Sequence, residues 1–395
     1  MSISTSHSFS QPFKVAHFQN VWLPGTMTWL HQLISGLESH CLNIVLCEKT
    51  DHPSNFQVAP LYQFDALPLP TQWFQRFLQK SGIRKTLPFY LETLRNEKIQ
   101  LIHSHFGHTA CSGSKLAIAG KIPHVASFYG MDIRQIPESD TRWYKRYKEM
   151  FKQTARIFCE GPHMATAIEK LGCPTDKIVI HPLGIDIERI VLRPRTWDGQ
   201  SELRILVAAS FREKKGIPLA LKAVAALLDR YKIKVTLIGD GSTDRASQAE
   251  KTRILETIRQ NKLENVVHLT GFQPHDEMLK IAEDHHIFLS PSLHAKDGDC
   301  EGGVPVSIIE MSASGMVVVS TRHCDIPGVI IDGQTGWLAE EAVLDDLVIQ
   351  LQNAIESCNE WPQMARRARH HIQTHFDARI QTDRLYEQYQ YVIHT

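Results

Sequence analysis

Several features that define other protein classes are missing from this sequence of 395 residues. The eight cysteines occur singly, without CxxC pairs, which argues against zinc ribbons and against the disulfide frameworks of small secreted domains. No apolar run approaches the roughly 18 residues that a membrane span needs. The polar start, MSISTSHSFSQPF, does not have the pattern of a signal peptide. These absences predict a cytoplasmic protein with reduced thiols.

Net charge is also absent, because 43 basic side chains balance 43 acidic ones. Bulk electrostatics therefore gives no argument for nucleic acid binding. The charge is unevenly divided, however: residues 1–190 hold 20 Lys and Arg against 15 Asp and Glu, and the remainder carries the opposite excess. A mildly basic first half favours an acidic acceptor or peripheral contact with the inner, anionic face of a membrane. Scattered solvated lysines are the alternative.

Short apolar runs alternate with helix-like segments along most of the chain, the pattern of parallel doubly wound sheets. One series runs from Lys14–Gln19 to Lys177–His181, a turn-rich linker follows at Arg193–Ser201, and the alternation restarts at Leu203–Ala209. We therefore predict an α/β protein with two Rossmann-like domains. Their expected bounds are 1–192 and 193–365, with a terminal helical segment over 366–395.

The stretch from His294 to Thr321 has the strongest local pattern. A polar loop leads to Gly302 and Gly303, and we predict a helix over Pro305–Ser314 because Pro suits a first turn and Gly315 a helix end. A helix start carries unpaired N–H groups and the positive end of the helix dipole. The two glycines would let an anion approach the backbone.

Two carboxylates complete that stretch: Glu301 at the mouth of the loop and Glu310 among apolar helix neighbours. Backbone amides can bind phosphate, and carboxylates can accept hydrogen bonds from hydroxyls. Together they predict a site for a phosphate-bearing, hydroxyl-rich ligand. An ordinary loop–helix junction with a surface glutamate is the alternative, since glycine-rich turns before helices are common in α/β folds.

A second candidate anion site is the loop that carries Arg212, Lys214 and Lys215 between a strand and a helix. Arginine offers a planar fork to phosphate oxygens, and lysine a point charge. With the amides near Gly303 these cations would hold a diphosphate without a metal ion; a solvated charged turn is the alternative. The nearby Gly239-Asp240-Gly241 lacks GxGxxG, so hydride transfer is poorly supported.

Three weaker features lie in the first half. His103, His105 and His108 follow a strand, but their spacing fits no common zinc pattern, so we predict no metal. Tyr129-Gly130-Met131-Asp132 ends another strand, where it would contact substrate hydroxyls or form a plain turn. Residues 66–98 mix aromatic and basic side chains; we expect an amphipathic helix packed on its own domain, and the alternatives are contact with a bilayer face or with the acceptor.

The sequence resembles the GT-B-fold, family 4 retaining glycosyltransferases. The resemblance rests on LVAASFREKKG, TLIGDG, LTGF, FLSPS, EGGVPVSIIEMSASGMVVVSTRHCDIP and DGQTGWL in the second half, and on LIHSHFG, ASFYGMDI and VIHPLGIDIERI in the first. It covers roughly residues 14–345 and keeps the order of the family's motifs. It implies two Rossmann-like domains facing a cleft, with a final helix that crosses back to the first domain.

The resemblance also implies roles for individual residues, with a nucleotide-sugar bound on the second domain. It places Arg212 and Lys215 on the donor diphosphate, Glu310 on the nucleotide ribose and Glu301 near the donor sugar. The full expected set comprises Arg212, Lys215, Glu301, Asp132 and Tyr129 as catalytic residues; Gly25, Gly241, Phe272, Gly302, Gly303, Val304, Pro305, Val306 and Glu310 for the donor; and His105, Phe106 and Arg134 for the acceptor. It implies no cofactor.

Three positions depart from the family's pattern. Eight residues separate Glu301 from Glu310, where the family has seven, so Glu301 is expected to be displaced. Ala209-Ser210 stand where the family often has Gly-Arg, so Arg212 would have to substitute from two residues on. Tyr129 stands where a histidine is common.

The resemblance implies a metal-independent, retaining transfer of a hexose from a nucleotide-diphosphate sugar to a hydroxyl on a glycan, a lipid-linked sugar or a small molecule. A nucleotide-sugar epimerase on the same architecture and a non-catalytic sugar-nucleotide-binding protein are the alternatives. A phosphorylase is less well supported, because no motif for binding pyridoxal phosphate is present.

Overall fold

The computed structural model describes residues 12–22, 27–51 and 60–395. They divide into two compact units. The first contains the described residues up to Ser127 together with Lys145–Phe158 and Thr382–Thr395, and the second contains Phe128–Tyr144 and Cys159–Gln381. The chain therefore passes between the two units several times.

The first sheet has the strand order β3-β2-β1-β4-β5-β6-β7. Its strands are β1 Lys14–Trp22, β2 Leu42–Thr50, β3 Leu61–Gln63, β4 Leu101–His105, β5 His124–Ser127, β6 Arg156–Cys159 and β7 Ile178–Ile180. β1 pairs in parallel with β2 and with β4, which sets His17 opposite His103. All five residues of β4 are buried, as expected for a central strand covered on both faces.

The second sheet has the order β10-β9-β8-β11-β12-β13. Its strands are β8 Leu203–Ala208, β9 Ile233–Ile238, β10 Val267–Gly271, β11 Ile287–Ser290, β12 Val317–Thr321 and β13 Trp337–Ala339. Their pairings are parallel. Two apolar clusters pack against these strands, one centred on residues such as Leu221 and Trp361, the other on Ile308 and Phe288. The predicted pair of doubly wound sheets is confirmed.

Helices connect most of the strands. They are α1 Thr28–Leu37, α2 Leu69–Lys80, α3 Pro88–Asn96, α4 Gly107–Gly120, α5 Gln135–Ser139, α6 Arg142–Gln153, α7 Pro162–Lys170, α8 Ile217–Ala225, α9 Arg245–Gln260, α10 His275–Glu283, α11 Val306–Ser314, α12 Leu344–Glu356, α13 Trp361–His375 and α14 Ala378–His394. The predicted helix over 218–231 ends early, at Ala225. Across the described residues, none of these helices has both the length and the hydropathy to cross a bilayer.

Helix α2 differs from the sequence prediction. Its aromatic side chains Trp73, Phe74 and Phe77 are 77%, 61% and 61% exposed, so they do not pack on their own domain. The side that faces the protein is polar: Gln75 is buried and accepts the Phe89 N–H at 2.9 Å. The expectation failed because α2 places its polar stripe inward.

The end of α14 belongs to the first unit. The Tyr389 hydroxyl lies 2.5 Å from His103 Nδ1, and the Tyr386 ring stacks on that of Phe13 with centroids 5.4 Å apart. The last turns of the helix thus supply part of the core of a unit whose sheet begins at residue 14. This assignment agrees with the predicted return of the final helix.

Candidate functional site

The predicted loop–helix junction is present. α11 begins at Val306, directly after Pro305, and ends before Gly315, which has a left-handed φ of 91°. The prediction of Pro305–Ser314 is therefore accurate to one residue. The first amides of α11 have no intrahelical acceptor, as at every helix start, and no side chain caps them among the described residues.

Glycines allow two loops of the second unit to meet at the entrance to this helix. Gly302 has a φ of 75°, and a Cβ added there would lie 2.2 Å from the Gly130 Cα. A Cβ on Gly130 would in turn lie 2.6 Å from the Glu301 carbonyl oxygen. The structure thus brings the predicted turn after β5 into backbone contact with the predicted donor loop.

Glu301 is held by groups from three directions. Its carboxylate accepts from Lys215 Nζ at 2.9 Å and from the Ser292 hydroxyl at 2.8 Å, and its side chain is 6% exposed. Its backbone N–H donates to His323 Nε2 at 3.2 Å. Burial raises the pKa of Glu301, but Lys215 and Lys214 more than offset burial and lower this pKa to about 2. Glu301 is therefore ionised at neutral pH.

The three predicted cations all have acidic partners. Arg212 makes a two-pronged contact with Asp244, at 3.1 and 2.9 Å, and is 41% exposed. Lys214 donates to an Asp299 carboxylate oxygen at 3.0 Å, and Lys215 is the partner of Glu301. Arg212 and Lys215 follow β8 on one short loop, but their charges are directed to different carboxylates. An anion that binds both would have to compete with these ion pairs.

Asp132 and Tyr129 form a closed turn. The buried Asp132 carboxylate accepts the N–H groups of Tyr129 and Gly130 at 3.1 and 3.0 Å. This carboxylate therefore holds the backbone that contacts Gly302. These hydrogen bonds are those of a plain turn, the alternative that the sequence left open. Tyr129 and Asp132 are nevertheless part of the candidate site, because the turn lies next to Glu301.

Glu310 lies on the second turn of α11 and is 7% exposed. His275 Nε2 is 2.7 Å from its Oε1, and this hydrogen bond raises the pKa of His275. A ligand hydroxyl that bonded to Glu310 would therefore have to replace His275, whose side chain is 42% exposed.

The remaining donor candidates are more dispersed. The Gly241 N–H donates to Asp240 Oδ1 at 2.6 Å, and the Phe272 side chain is 71% exposed. Val304 donates its N–H to Glu160 Oε2 at 3.2 Å. Gly25, with the neighbouring Thr26, lies outside the described residues.

The first-unit candidates belong to a buried histidine network. His105 Nε2 is 3.0 Å from His17 Nδ1, and His17 Nε2 is 3.1 Å from Asn43 Oδ1. Burial lowers the pKa of His17 to about 4 and that of His105 well below its usual value. Phe106 follows with a φ of 72°, an uncommon conformation for an aromatic residue that is often found at functional sites.

Arg134, the third acceptor candidate, lies just before α5 in the second unit and pairs with Glu138 at 3.0 Å. Its half-exposed side chain is on a loop that contacts the donor-side loop, since Gln135 donates to Asp297 Oδ2 at 3.0 Å.

Sequence reasoning missed Glu160. Its carboxylate lies against the Gly303 Cα, where an added Cβ would be 2.0 Å from Glu160 Oε2. Burial, then the nearby carboxylates of Asp325, Asp132 and Glu301, raise the pKa of Glu160 to about 8. Its position at the end of a strand, directly before Gly161-Pro162, was the one sequence feature that could have indicated it.

Ser292 and His323 were also missed, although both lie within the runs that carry the resemblance. Ser292 is the final residue of FLSPS, and His323 follows Thr321-Arg322 after β12. Both form hydrogen bonds with Glu301, and such contacts between loops have no local sequence pattern.

Two Rossmann-like parallel-sheet units and a glycine-flanked helix start define the class of GT-B glycosyltransferases. The family model described as "Glycosyl transferases group 1" matches residues 195–371, and the family model "Glycosyltransferase Family 4" matches residues 25–189. The chain belongs to the group 1 glycosyl transferase family.

Two relatives are similar over most of the chain. One is WcaL of Escherichia coli (strain K12), a glycosyltransferase named for colanic acid biosynthesis: it is 30% identical over 70% of this chain and 67% of its own length. The other is the amylovoran biosynthesis glycosyltransferase AmsK of Erwinia amylovora, 32% identical over 70% of this chain and 66% of its own length. The alignments thus span about two thirds of these relatives.

Solved structures share the fold. A crystal structure of Anabaena Alr3699/HepE in complex with UDP and glucose is 15% identical, with a TM-score of 0.76 over 96% of this chain and 99% of that chain. Sucrose-phosphate synthase from Thermosynechococcus elongatus is 16% identical, with a TM-score of 0.76 over 96% and 98%. At such identities the likeness supports the fold alone.

Proposed function

We propose that this protein transfers a hexose from a nucleotide-diphosphate sugar to a hydroxyl of a carbohydrate or lipid-linked acceptor, with retention of configuration and without a metal on the diphosphate. The observation that carries the proposal is the group formed by Lys215, Glu301 and the glycine-flanked start of α11. It offers a cation, a carboxylate and free amides within one unit.

For the donor, we assign the diphosphate to Lys215, Arg212 and the backbone N–H groups at the start of α11, from Val306 onward. Residues 193–365 would form the donor domain. Binding of a diphosphate would release Lys215 from Glu301 and Arg212 from Asp244, because the phosphate oxygens carry more charge than one carboxylate. The freed Glu301 would accept hydroxyls of the sugar, and Glu310 those of the ribose in exchange for His275.

In the transfer step, negative charge develops on the departing diphosphate. Cations and helix amides already in place stabilise that charge without reorganising, and in many enzymes such electrostatic stabilisation accounts for most of the rate enhancement. Retention requires the acceptor hydroxyl to attack from the face that the leaving group vacates. A leaving phosphate oxygen would take the hydroxyl proton, so the step needs no enzymic nucleophile.

For the acceptor, we assign residues 1–192, with His105, Phe106, Tyr129, Asp132 and Arg134 as positioning or contact residues. The relatives named for colanic acid and amylovoran biosynthesis support a growing polysaccharide as the acceptor class. Asp132 would act by holding the turn that contacts Gly302.

We assign the exposed face of α2 to peripheral contact with an anionic membrane. Leu69, Trp73, Phe74 and Phe77 are each more than 60% exposed, and so is Ile83 just beyond the helix. The exposed cations Lys80, Arg84 and Lys85 lie beside them in the chain. Exposed aromatics flanked by basic residues favour the boundary between headgroups and acyl chains. This contact would place the protein at the cytoplasmic face, where a lipid-linked acceptor is within reach.

A panel of UDP-, GDP- and ADP-sugars tests the proposal. Thermal shift identifies the base, because a ligand stabilises by the logarithm of its occupancy, and turnover of the stabilising donor is then measured with and without candidate acceptors. Transfer to a hydroxyl with the donor's anomeric configuration supports the proposal. Donor conversion to a second nucleotide-sugar without acceptor would indicate an epimerase, and stabilisation without turnover a binding protein.

A further inference from the structure

A second cluster of ligating side chains lies close to Glu301 and has no role in the proposed transfer. It consists of His163 on the first turn of α7, His294 in the loop after β11 and Cys324 in the turn after β12. One ligand atom of each lies within 4.8 Å of those of the other two. We propose that His163, His294 and Cys324 bind a divalent transition-metal ion, and that Zn²⁺ is the ion that best fits this set.

The ring of His294 is oriented as metal-binding histidines usually are. Its Nδ1 is 2.8 Å from Glu341 Oε1 and 3.0 Å from Oε2. In metal sites the second ring nitrogen commonly donates to a carboxylate, which fixes the tautomer and leaves the other nitrogen for the ion. The Glu341 carboxylate therefore prepares His294 Nε2 to accept an ion.

The other two ligands are accessible. His163 is exposed and Cys324 half-buried, and the described residues include no hydrogen-bond partner for the His163 ring. Cys324 Sγ lies 3.1 Å from His323 Nε2. On binding, the Cys324 thiol would lose its proton to solvent, since the thiolate is the form that ligates metals.

The distances between the three ligand atoms are close to those that a bound zinc ion requires. Zinc–nitrogen and zinc–sulfur bonds of about 2.0 and 2.3 Å place tetrahedral ligands roughly 3.3–3.7 Å apart. The ligand atoms now lie within 4.8 Å of one another, so each separation would have to shorten by at most about 1.5 Å. The fourth position would take water.

Two other clusters are less suitable. In the first unit, His17, His103 and His105 are fully buried, and the nitrogens of His17 and His103 already contact Asn43, Tyr389, Ser127 and His105. Near the proposed site, His323 is also committed: its Nδ1 contacts Glu341 at 2.9 Å, and its Nε2 accepts the Glu301 N–H. His323 and Glu341 are thus supporting residues for the ion.

An ion at this site would join three segments of the second unit. α7 is already tied to the turn after β12, because Asp325 accepts the N–H groups of His163 and Met164. Cys324 is adjacent in sequence to His323, which bonds to Glu301. The ion would therefore restrain the loop that carries Glu301, whether or not the protein is a transferase.

Titration of the full-length protein with Co²⁺, under a phosphine reductant that does not bind metals, tests the proposal. We expect one equivalent to produce a thiolate-to-cobalt absorption band that Zn²⁺ abolishes by competition. Cys324→Ser should remove the band, and Cys358→Ser, which changes a second half-buried cysteine, should keep it. His163→Ala should weaken binding at least tenfold, whereas the exposed His268→Ala should not.

Glu341→Gln separates support from ligation: it should keep the band but reduce affinity about 10–100-fold, as for other outer-shell partners. The proposal is overturned if wild-type protein shows no saturable band, or if Cys324→Ser binds as wild type does. Because the readout is an absorption band, these results are independent of donor turnover.

Discussion

The candidate donor loop at Glu301–Pro305 and the candidate acceptor residues at the end of β4 differ in how their side chains and backbone are arranged. At the donor loop, charges of opposite sign are paired, and backbone meets backbone through glycines. At the end of β4, His105 lies inside a buried network, whereas the aromatic side chains of α2 in the same unit are exposed. Under the proposed function, the donor would bind a few short segments of the second unit, whereas the acceptor would contact residues spread over a surface.

The largest expected effect is on the donor side of this comparison. Lys215→Ala should lower kcat/KM by about 30–1,000-fold, equivalent to about 2–4 kcal/mol, because one preorganised cation facing the diphosphate is lost. Steady-state kinetics with the donor found by thermal shift measures the loss. Near-normal turnover would remove Lys215 from the mechanism.

Two further variants control that result. Lys222→Ala removes an exposed lysine from α8 and should leave kinetics unchanged. Lys215→Gln keeps a hydrogen-bond donor for the buried Glu301, so it separates lost catalysis from lost folding. If Lys215→Gln is as stable as wild type but still has a reduced kcat/KM, the positive charge of Lys215 is required for catalysis.

The next effect concerns the backbone contact between Gly130 and Gly302. Gly302→Ala should destabilise the protein by about 3 kcal/mol, because a left-handed non-glycine residue costs roughly 1–2 kcal/mol and the added Cβ meets the Gly130 Cα. Gly333→Ala is the matched control: Gly333 has a φ of 68° with nothing within 4 Å of an added Cβ. Equal losses of Tm in the two variants would mean that the contact is not tight.

A smaller effect is expected on the first unit's surface. Trp73→Ser with Phe77→Ser should reduce binding to vesicles that contain anionic lipid by about 2–3 kcal/mol, since two apolar side chains no longer enter the bilayer boundary. Co-sedimentation measures the change, with Leu255→Ser on α9 as the exposed apolar control. If the wild-type protein does not bind anionic vesicles, the membrane assignment is refuted.

The smallest effect is a pH dependence. The pKa of Glu160 is raised to about 8, so protonated Glu160 stabilises the folded state below pH 4.5, and this stability is lost as pH rises through 8. The free energy of unfolding of Glu160→Gln, relative to that of wild type, should therefore rise by about 1 kcal/mol between pH 7 and pH 8.5. Urea unfolding of both proteins at the two pH values measures this change. A difference in unfolding free energy that is the same at the two pH values would contradict the prediction.

The parts of the molecule that follow from local pattern were predictable. The start of α11 at Pro305, its end at Gly315 and the alternation of strands with helices depend on nearby residues and were confirmed. The prediction of which side of α2 faces the protein was wrong. The buried side carries Gln75, which accepts the N–H of Phe89, a residue that is distant in sequence. Glu160 was missed because its raised pKa depends first on burial, which nearby residues do not reveal, and then on carboxylates that are remote in sequence.

The last turns of α14 have a consequence for biogenesis. They belong to the unit that contains β1, yet roughly 220 residues separate Thr382 from Phe158, where the preceding segment of that unit ends. At about 5–20 residues per second, a ribosome needs roughly 11–45 s to make that interval. During this time the nascent first unit lacks Tyr386 and Tyr389, and its exposed apolar surface is open to chaperones.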